Sequence, residues 1–282
     1  MTDSAPTRQD LGAQEWEAHC DRHGTYTARG VVINGKRMGG ACPDCEQERE
    51  ARERAQLTSR QQADRARRVQ RLLGSAGIPP RFKGRTFENY HPEDGNQSQA
   101  RALKLCKAYA ARFEDMMAAG ASVVMVGNPG TGKTHLAAAV AQAVIPQGRS
   151  VHFTTVGRLL RHVKSTYSRE ATQTEEQALR SYLDPDLLIL DEVGVQRGTE
   201  AERFILTEAI GLRYEHMKPC VVMGNCTEAE LCAHLGDRLV SRLQEGGGPF
   251  IVCDWGDYRP QVHADESLPR RDVPPVDWES DT

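Results

Sequence analysis

The chain has 282 residues, 39% apolar and 27% charged, which favours a globular protein over a disordered one. Its formal net charge of −3 means that a nucleic acid would have to be bound by a local basic surface. It contains no run of 18 apolar residues to span a membrane, and residues 1–10 are polar, unlike a signal peptide; we therefore expect a cytoplasmic protein.

The first predicted region, residues 1–47, contains four residues with the spacing of a zinc site. They form two pairs, each with a two-residue spacer: Cys20 with His23, and Cys42 with Cys45. A spacer of this length lets both side chains of a pair reach one ion, and two pairs complete a tetrahedron. A closed set of four ligands indicates a structural Zn²⁺, and the gap between the two pairs predicts a small zinc-ribbon-like module. His19 is an alternative to His23, although the spacing favours His23, and four unrelated residues are the competing interpretation.

Residues 48–80 are predicted to form a helical linker. The segment is rich in Arg, Gln, Glu and Ala, and it has no Gly or Pro before Gly74, which is typical of an exposed helix. Eight arginines lie between positions 49 and 71, interleaved with acidic residues. An ordinary solvated helix and a helix that docks on a partner are both consistent with this pattern.

Residues 81–262 alternate strand-like and helix-like patterns, which predicts an α/β domain with a parallel central sheet covered on both faces. The predicted strands are residues 122–126, 150–154, 187–190, 220–224 and 250–253. A helix is predicted over residues 133–144, ending before Pro146. Residues 263–282 are acidic and contain prolines, so we expect a disordered tail.

A phosphate-binding loop follows the first strand of this domain. Its eight residues match the pattern G-x-x-x-x-G-K-[ST]: Gly127, Asn128, Pro129, Gly130, Thr131, Gly132, Lys133 and Thr134. Backbone N–H groups of such a loop turn inward around phosphate, and the helix N-terminus adds positive potential. We predict that Lys133 binds the β- and γ-phosphates of ATP, that Thr134 binds Mg²⁺, and that His135 also contributes to the nucleotide site.

Polar side chains follow two further strands, where ligands of parallel sheets bind. After the apolar run 187–190 come Asp191, predicted to hold Mg²⁺, and Glu192, predicted to activate the attacking water. Asn225 follows the strand 220–224 and is predicted to contact the γ-phosphate or the water; a turn residue is its alternative role. The adjacent glutamate favours hydrolysis over transfer to a small acceptor, which argues against a small-molecule kinase.

Four segments around these residues resemble the DnaC-type helicase loaders: GNPGTGKTHLAAAVA, LLILDEVGVQ, LGDRLVSRLQ and CDWGDYR. The similarity covers about residues 70–260, and the IstB-type transposition ATPases are similar but more distant. The resemblance implies an AAA+ ATPase that self-associates and delivers a replicative hexameric helicase onto single-stranded DNA. It also implies that Arg242 is a finger acting on a neighbouring subunit's nucleotide, Arg259 a sensor of phosphate, and Asn225 the first sensor. Arg238, one helical turn from Arg242, is the alternative finger.

The zinc motif departs from the DnaC pattern and is instead similar to DnaI-type loaders, which carry a zinc-binding domain that docks on the helicase. The insert 156–185 would line a DNA channel in this family, and its candidates are Arg158, Arg161, His162, Lys164, Tyr167 and Arg169. We expect Arg158, Arg161, Lys164 and Arg169 near one helical face, with Tyr167 close by; a solvated helix is the alternative. Two other functions remain open: an IstB-type regulator assembling on duplex DNA, and a zinc module that itself binds DNA.

Overall fold

The computed structural model describes residues 14–194 and 198–258, which divide into two compact units. The first unit ends at Arg67 and the second begins at Arg68, a point within one long helix. That helix begins at Pro43 rather than at the predicted residue 48. Proline is tolerated in a first helical turn, and Asp44 and Glu46 in that turn complement the helix dipole. The predicted tail, residues 263–282, lies outside the described residues.

The first unit, predicted as a zinc-ribbon-like module, contains a small antiparallel sheet whose individual strands were not predicted from the sequence. Its elements are β1 (Gln14–Cys20), β2 (Gly24–Ile33), β3 (Lys36–Gly39) and the first part of α1 (Pro43–Ser75). The strands are ordered β1-β2-β3, and Cys20 pairs with Gly24 across the first turn. The sheet therefore brings the Cys20–His23 turn to the end of a hairpin, and the second cysteine pair stands at the start of α1.

The second unit is built on a five-stranded sheet. Its strands are β4 (Val123–Gly127), β5 (Val151–Thr155), β6 (Leu187–Val193), β7 (Cys220–Gly224) and β8 (Phe250–Cys253). They are ordered β5-β6-β7-β4-β8, and every neighbouring pair is parallel. The predicted α/β fold with a parallel sheet is confirmed, and the five strands lie within three residues of their predicted bounds.

Helices cover both faces of this sheet. They are α2 (Gln97–Ala111), α3 (Phe113–Ala118), α4 (Lys133–Val144), α5 (Val156–Ser165), α6 (Glu175–Leu183), α7 (Glu200–Glu215), α8 (Glu228–Leu235) and α9 (Asp237–Glu245). Capping boxes begin three of them, because the threonines Thr174, Thr199 and Thr227 each exchange hydrogen bonds with the residue three positions on. Within the described ranges, none of the helices combines the length and the apolar character needed to cross a bilayer.

Alternate residues of the central strands enter two different apolar layers. On β6, Leu187 and Ile189 pack in the layer that contains α2 and α4, whereas Leu188 and Leu190 pack in the layer formed by α5 to α9. All four side chains are fully buried. Burial on both faces explains why these strands are continuous apolar runs without the alternation of a half-exposed sheet.

Candidate nucleotide and metal sites

The carboxyl ends of neighbouring strands meet around the phosphate-binding loop. The loop follows β4, and the N–H of Gly127 donates to the carbonyl of Cys226 beyond β7 at 2.9 Å. On the other side, the N–H of Asn128 donates to the carbonyl of Cys253 at the end of β8, also at 2.9 Å. The sheet therefore places the residues that follow β6, β7 and β8 at the same edge as the loop, as expected for a ligand site in a parallel sheet.

The loop has the backbone of a phosphate cradle. Gly130 and Gly132 have φ values of +77° and +88°, which side-chain-bearing residues rarely adopt. The Lys133 ammonium is buried and donates to the carbonyls of Gly127 at 2.9 Å and Asn128 at 2.6 Å. This cation, at the N-terminus of α4, gives the loop the positive potential that a polyphosphate requires.

The acidic pair lies beside the loop. The Thr134 hydroxyl donates to a carboxylate oxygen of Asp191 at 2.9 Å, which brings together the two side chains predicted to hold Mg²⁺. Burial raises the pKa of the Asp191 carboxyl, whereas the Thr134 hydrogen bond opposes that rise. A hydroxyl and a carboxylate are oxygen ligands suited to this cation, so the residues present fit the predicted metal.

Glu192 has an unusual backbone conformation. Its φ is +64°, a region that costs about 1 kcal/mol or more for a residue with a side chain. The pairing of β6 with β7 shifts register between Leu190 and Val193, so a bulge surrounds the acidic pair. The N–H of Glu192 donates to Asp191 Oδ1 at 2.8 Å, and the Glu192 side chain is exposed. The bulge therefore turns the glutamate out of the strand at the edge where the nucleotide would lie.

Asn225 and His135 have different surroundings. Asn225 is exposed in the first position after β7, at the same edge as the loop. His135 Nε2 lies 2.8 Å from the Thr86 carbonyl, and its ring meets Tyr90 edge-on with centroids 5.1 Å apart. Burial lowers the pKa of His135. Its contacts fasten α4 to the segment before α2, while a contact of His135 with nucleotide stays a prediction.

The two candidate fingers both lie on α9. Arg238 is exposed, whereas Arg242 is half-buried, and its guanidinium stands 4.9 Å from the centre of the Tyr214 ring. A cation over an aromatic face restrains the side chain that a neighbouring subunit would meet. The third arginine, Arg259, lies outside the described residues.

The predicted zinc ligands converge in the first unit. His23 Nδ1 lies 3.7, 3.5 and 3.3 Å from the sulfur atoms of Cys20, Cys42 and Cys45, respectively, and the Cys20 and Cys45 sulfurs are 3.5 Å apart. Ligands at ordinary Zn–S and Zn–N distances around a tetrahedral ion lie about 3.5–3.8 Å from each other. The four residues therefore fit a closed zinc site. Within the described residues, they are the group of His, Cys, Asp or Glu side chains close enough together to hold a metal ion.

A carboxylate orients the histidine. Glu48 Oε1 lies 3.1 Å from His23 Nε2, which leaves Nδ1 as the metal-binding nitrogen. Arg22 in turn binds the other oxygen of Glu48 at 2.6 Å. Backbone hydrogen bonds from Arg22 and His23 lower the pKa of the Cys20 thiol, whereas the hydrogen bond between the two sulfurs raises the pKa of Cys45.

Comparison with known proteins agrees with this site. Residues 49–243, more than half of the chain, match the family model for IstB-like ATP binding proteins. The chain belongs to this family. The replicative helicase loaders DnaC of Buchnera aphidicola subsp. Baizongia pistaciae and of Escherichia coli are each 32% identical to it over 203 residues. Each of these alignments covers 72% of this chain and 80% of the relative.

A solved structure supports the same family assignment. The crystal structure of the DnaC helicase loader has a TM-score of 0.55 and 27% sequence identity, and the match covers 62% of this chain and 99% of that one. The second unit is therefore the AAA+ domain of a DnaC-like member of the IstB-like family. Nucleotide binding and a general ATPase role follow from that membership.

The basic insert of this family member is arranged differently from the expectation. The segment forms two helices, α5 and α6, and α5 ends at Ser165, so Arg169 is not on the helix that carries Arg158 and Arg161. The prediction that Arg169 shares a helical face with Arg158 and Arg161 is therefore wrong, because the helix ends at Ser165. Arg158, Arg161 and Arg169 are exposed, as is the Tyr167 ring.

Two other members of the predicted set have partners within the fold. Lys164 Nζ donates to Glu202 Oε1 at 2.9 Å, and His162 Nδ1 lies 2.8 Å from the Tyr182 hydroxyl. These contacts tie α5 to α7 and α6. Tyr167 also has a partner, since its hydroxyl donates to Glu175 at 2.9 Å.

Several residues near the sites escaped the sequence analysis. Glu48 could have been suspected, because it lies three positions after Cys45 on a helix and thus on the same face. Trp255 lies in the segment CDWGDYR, which carries the family resemblance, and Tyr90 lies in the segment before α2; neither residue was assigned a role from the sequence. Both donate to the carbonyl of Thr131 in the phosphate-binding loop.

Proposed function

We propose that this chain is an ATP-dependent loader that delivers a replicative hexameric helicase onto single-stranded DNA, acting in the cytoplasm. The observation that carries the proposal is an AAA+ domain with a complete phosphate-binding loop and acidic pair. Its relatives are helicase loaders, and the alignment covers 80% of the length of each. The second unit supplies the nucleotide switch. Binding and slow hydrolysis of ATP would alternate the loader between states that hold and release the helicase.

Each residue of the site has a proposed role in that switch. Lys133 and the loop N–H groups bind the phosphates, and Thr134 with Asp191 holds Mg²⁺, which neutralises charge on the transferred phosphoryl group. Glu192 accepts the proton of the attacking water, and Asn225 orients that water or the γ-phosphate. Arg242 completes the site of a neighbouring copy, with Arg238 as the alternative, and Arg259 senses the phosphates.

We further propose that Cys20, His23, Cys42 and Cys45 hold a structural Zn²⁺ and that residues 1–47 form the module around it. The distances among the four ligand atoms support this assignment. Residues 48–80 would connect this module to the AAA+ domain of residues 81–262, and the arginine-rich part of α1 is the proposed docking surface for the helicase.

The proposed DNA-binding surface is the exposed part of the insert. Arg158, Arg161 and Arg169 would neutralise phosphates, and Tyr167 would stack on a base. Tyr167 also donates to Glu175 at 2.9 Å, which positions the ring at the end of α5.

The proposal is tested with an immobilised replicative helicase from the same host. We expect the wild-type chain to bind the helicase with ATP and to promote its transfer to circular single-stranded DNA. Lys133→Ala should lose the nucleotide dependence, since the phosphates lose their buried cation. Arg112→Ala is the matched control, because it removes an exposed cation that pairs with Asp115 three residues further along the chain.

The IstB-type alternative has a different readout. A transposition helper would assemble on duplex DNA, with binding that becomes tighter as the duplex is lengthened, and would ignore the helicase. The helicase-loader relatives favour the first function. Length-dependent assembly on duplex DNA without helicase capture would overturn the loader proposal.

A further inference from the structure

The phosphate-binding loop is held from outside by two buried aromatic donors. The carbonyl oxygen of Thr131 accepts a hydrogen bond from the Trp255 indole N–H at 2.8 Å and another from the Tyr90 hydroxyl at 3.3 Å. Trp255 lies just beyond β8, and Tyr90 lies in the segment before α2. Both side chains are at least 93% buried, so neither bond competes with bulk water.

The segment after β8 makes further bonds to the same loop. The N–H of Tyr258 donates to the Gly130 carbonyl at 3.1 Å, and the Asn128 side-chain amide donates to the Asp254 carbonyl at 3.2 Å. At Gly130 a Cβ atom would stand 1.8 Å from a carboxylate oxygen of Asp257. Residues 253–258 therefore lie directly against the loop.

Peptide geometry explains what these bonds do. In a trans peptide the C=O of one residue and the N–H of the next are fixed in one plane and point in opposite directions. A donor on the Thr131 carbonyl therefore sets the direction of the Gly132 N–H, and the Tyr258 bond to Gly130 likewise sets the Thr131 N–H. These are loop N–H groups of the kind that bind phosphate.

The loop needs such restraint because of its glycines. Gly130 and Gly132 have positive φ values that a flexible loop would leave readily, since glycine samples both signs of φ. The Tyr90 ring also blocks movement on one side, because its Cε2 lies 2.7 Å from where a Cβ of Gly132 would stand. Restraining the carbonyl side lowers the entropy that the loop would otherwise lose on binding a ligand.

We propose that Trp255 and Tyr90 are positioning residues, which hold the loop in its phosphate-binding conformation and couple nucleotide affinity to the segment 253–258. The proposal rests on the proposed nucleotide site. Both residues bind the Thr131 carbonyl, so we expect them to act on nucleotide binding through the loop and not on the hydrolytic groups Asp191 and Glu192.

The test measures equilibrium affinities for ATP and ADP in the full chain after single substitutions. Trp255→Phe keeps an aromatic ring but removes the indole donor, and Tyr90→Phe removes only the hydroxyl. We expect each to weaken binding by between about twofold and tenfold, the range of one hydrogen bond, with Trp255 giving the larger loss because its bond is shorter. ATP and ADP should lose affinity equally, and turnover at saturating ATP should change little.

The matched control is Tyr109→Phe. Tyr109 is as buried as Tyr90, and its hydroxyl also donates to a backbone carbonyl, that of Ala121 at 2.9 Å, outside the loop. Tyr90→Phe and Tyr109→Phe should lower the thermal midpoint similarly, but only the former should weaken nucleotide binding. Equal affinity losses in both, or wild-type affinity in Trp255→Phe and Tyr90→Phe, would overturn the inference.

The outcome is separable from a failure of the nucleotide site itself. If the wild-type chain bound no nucleotide, or if Lys133→Ala bound ATP as well as wild type, the proposed function would fail before the aromatic residues were considered. If Trp255→Phe did not fold, Tyr90→Phe with its Tyr109 control would still decide the question.

Discussion

The two units of this chain are stabilised in different ways. Among the described residues of the first unit, Ala28 and Cys42 are the buried apolar side chains. The second unit has two apolar layers on the faces of its sheet. A unit with so small a core cannot offset its conformational entropy by burial alone, whereas the second can. The difference indicates that the proposed metal stabilises the first unit and hydrophobic burial stabilises the second.

The contrast extends to chemistry. We propose that the first unit has a closed ligand set but depends on its ion for folding. The second unit folds around its own core, but its proposed hydrolytic site would need an arginine from a neighbouring copy to be complete.

Removal of the metal should have the largest consequence. Structural zinc contributes an apparent 10–16 kcal/mol or so in small domains, so a chelator should abolish amide-exchange protection in residues 14–40. Protection in the strands of the second unit should persist. Elemental analysis should find one zinc per chain, lost when Cys42 and Cys45 are both replaced by Ser.

Cys232→Ser is the control for that experiment, since Cys232 lies on α8 outside the cluster. It should retain full metal content. Protein purified without chelator that contains no zinc, or protection in β1 and β2 that survives chelation, would remove the basis of the comparison.

The second unit is also stabilised by a buried hydrogen-bond network around Arg213. Its side chain is fully buried, and its two terminal nitrogens donate at 2.7–3.1 Å to five backbone carbonyls. The acceptors lie at the end of α6 and before β6 and β7: Tyr182, Leu183, Pro185, Asp186 and Pro219. Arg213→Met leaves these carbonyls without their donor, and we expect a loss of roughly 3 kcal/mol or more.

A loss of that size should lower the thermal midpoint of the second unit by about 10 °C. Calorimetry checks this, with Arg112→Met as the control, because an exposed ion pair contributes less than about 1 kcal/mol. Equal midpoints for the two variants would show that apolar burial alone holds the second unit.

The proposed finger tests whether the second unit is chemically incomplete. Arg242→Ala should bind ATP almost normally, while hydrolysis falls by at least about tenfold, less than the roughly 10³–10⁵ of the most effective fingers. Mixing it with Lys133→Ala should restore some turnover, since one variant supplies a nucleotide pocket and the other the arginine. If assembled mixtures give only the sum of the separate rates, Arg242 does not act across an interface, and Arg238 is tested next.

The parallel sheet could be predicted well because its strands are apolar on both faces and end at recognisable turns. The bounds of α4 and β7 agree with the structure residue for residue. In the first unit the zinc-ribbon-like module was predicted from its ligand spacing, but its individual strands were not, since residues 14–39 carry almost no buried apolar pattern and local propensity is weak evidence there.

Contacts within the sites were harder to predict than the residues themselves. The motifs indicate Lys133, Asp191 and Glu192 because their chemistry is local to the sequence. Thr131 has two hydrogen-bond partners in this site, Tyr90 and Trp255. Both are distant from it in sequence and meet it only through tertiary packing. The φ of Glu192 likewise depends on the register shift between β6 and β7, which no sequence period encodes.

The smallest expected effect concerns that conformation of Glu192. Its φ of +64° is kept by the surrounding bulge, so the second unit stores strain that its core can bear. Glu192→Gln preserves the side-chain shape and the strain, whereas Glu192→Asn introduces a residue that adopts this region more readily. Both should still bind ATP, and both should lose hydrolysis by about 10²–10⁴-fold because the carboxylate is gone.

Only stability should separate these two variants. Glu192→Asn should unfold at a higher temperature than Glu192→Gln, by a few degrees at most, because relief of the strain is expected to give about 0.5–1 kcal/mol. Calorimetry of the two proteins without nucleotide measures the difference directly. Equal midpoints would mean that the bulge imposes no cost at Glu192. A higher thermal midpoint for Glu192→Asn would show that the second unit gives up stability to present its proposed water-activating carboxylate. The sparse core of the first unit could not offset such a cost.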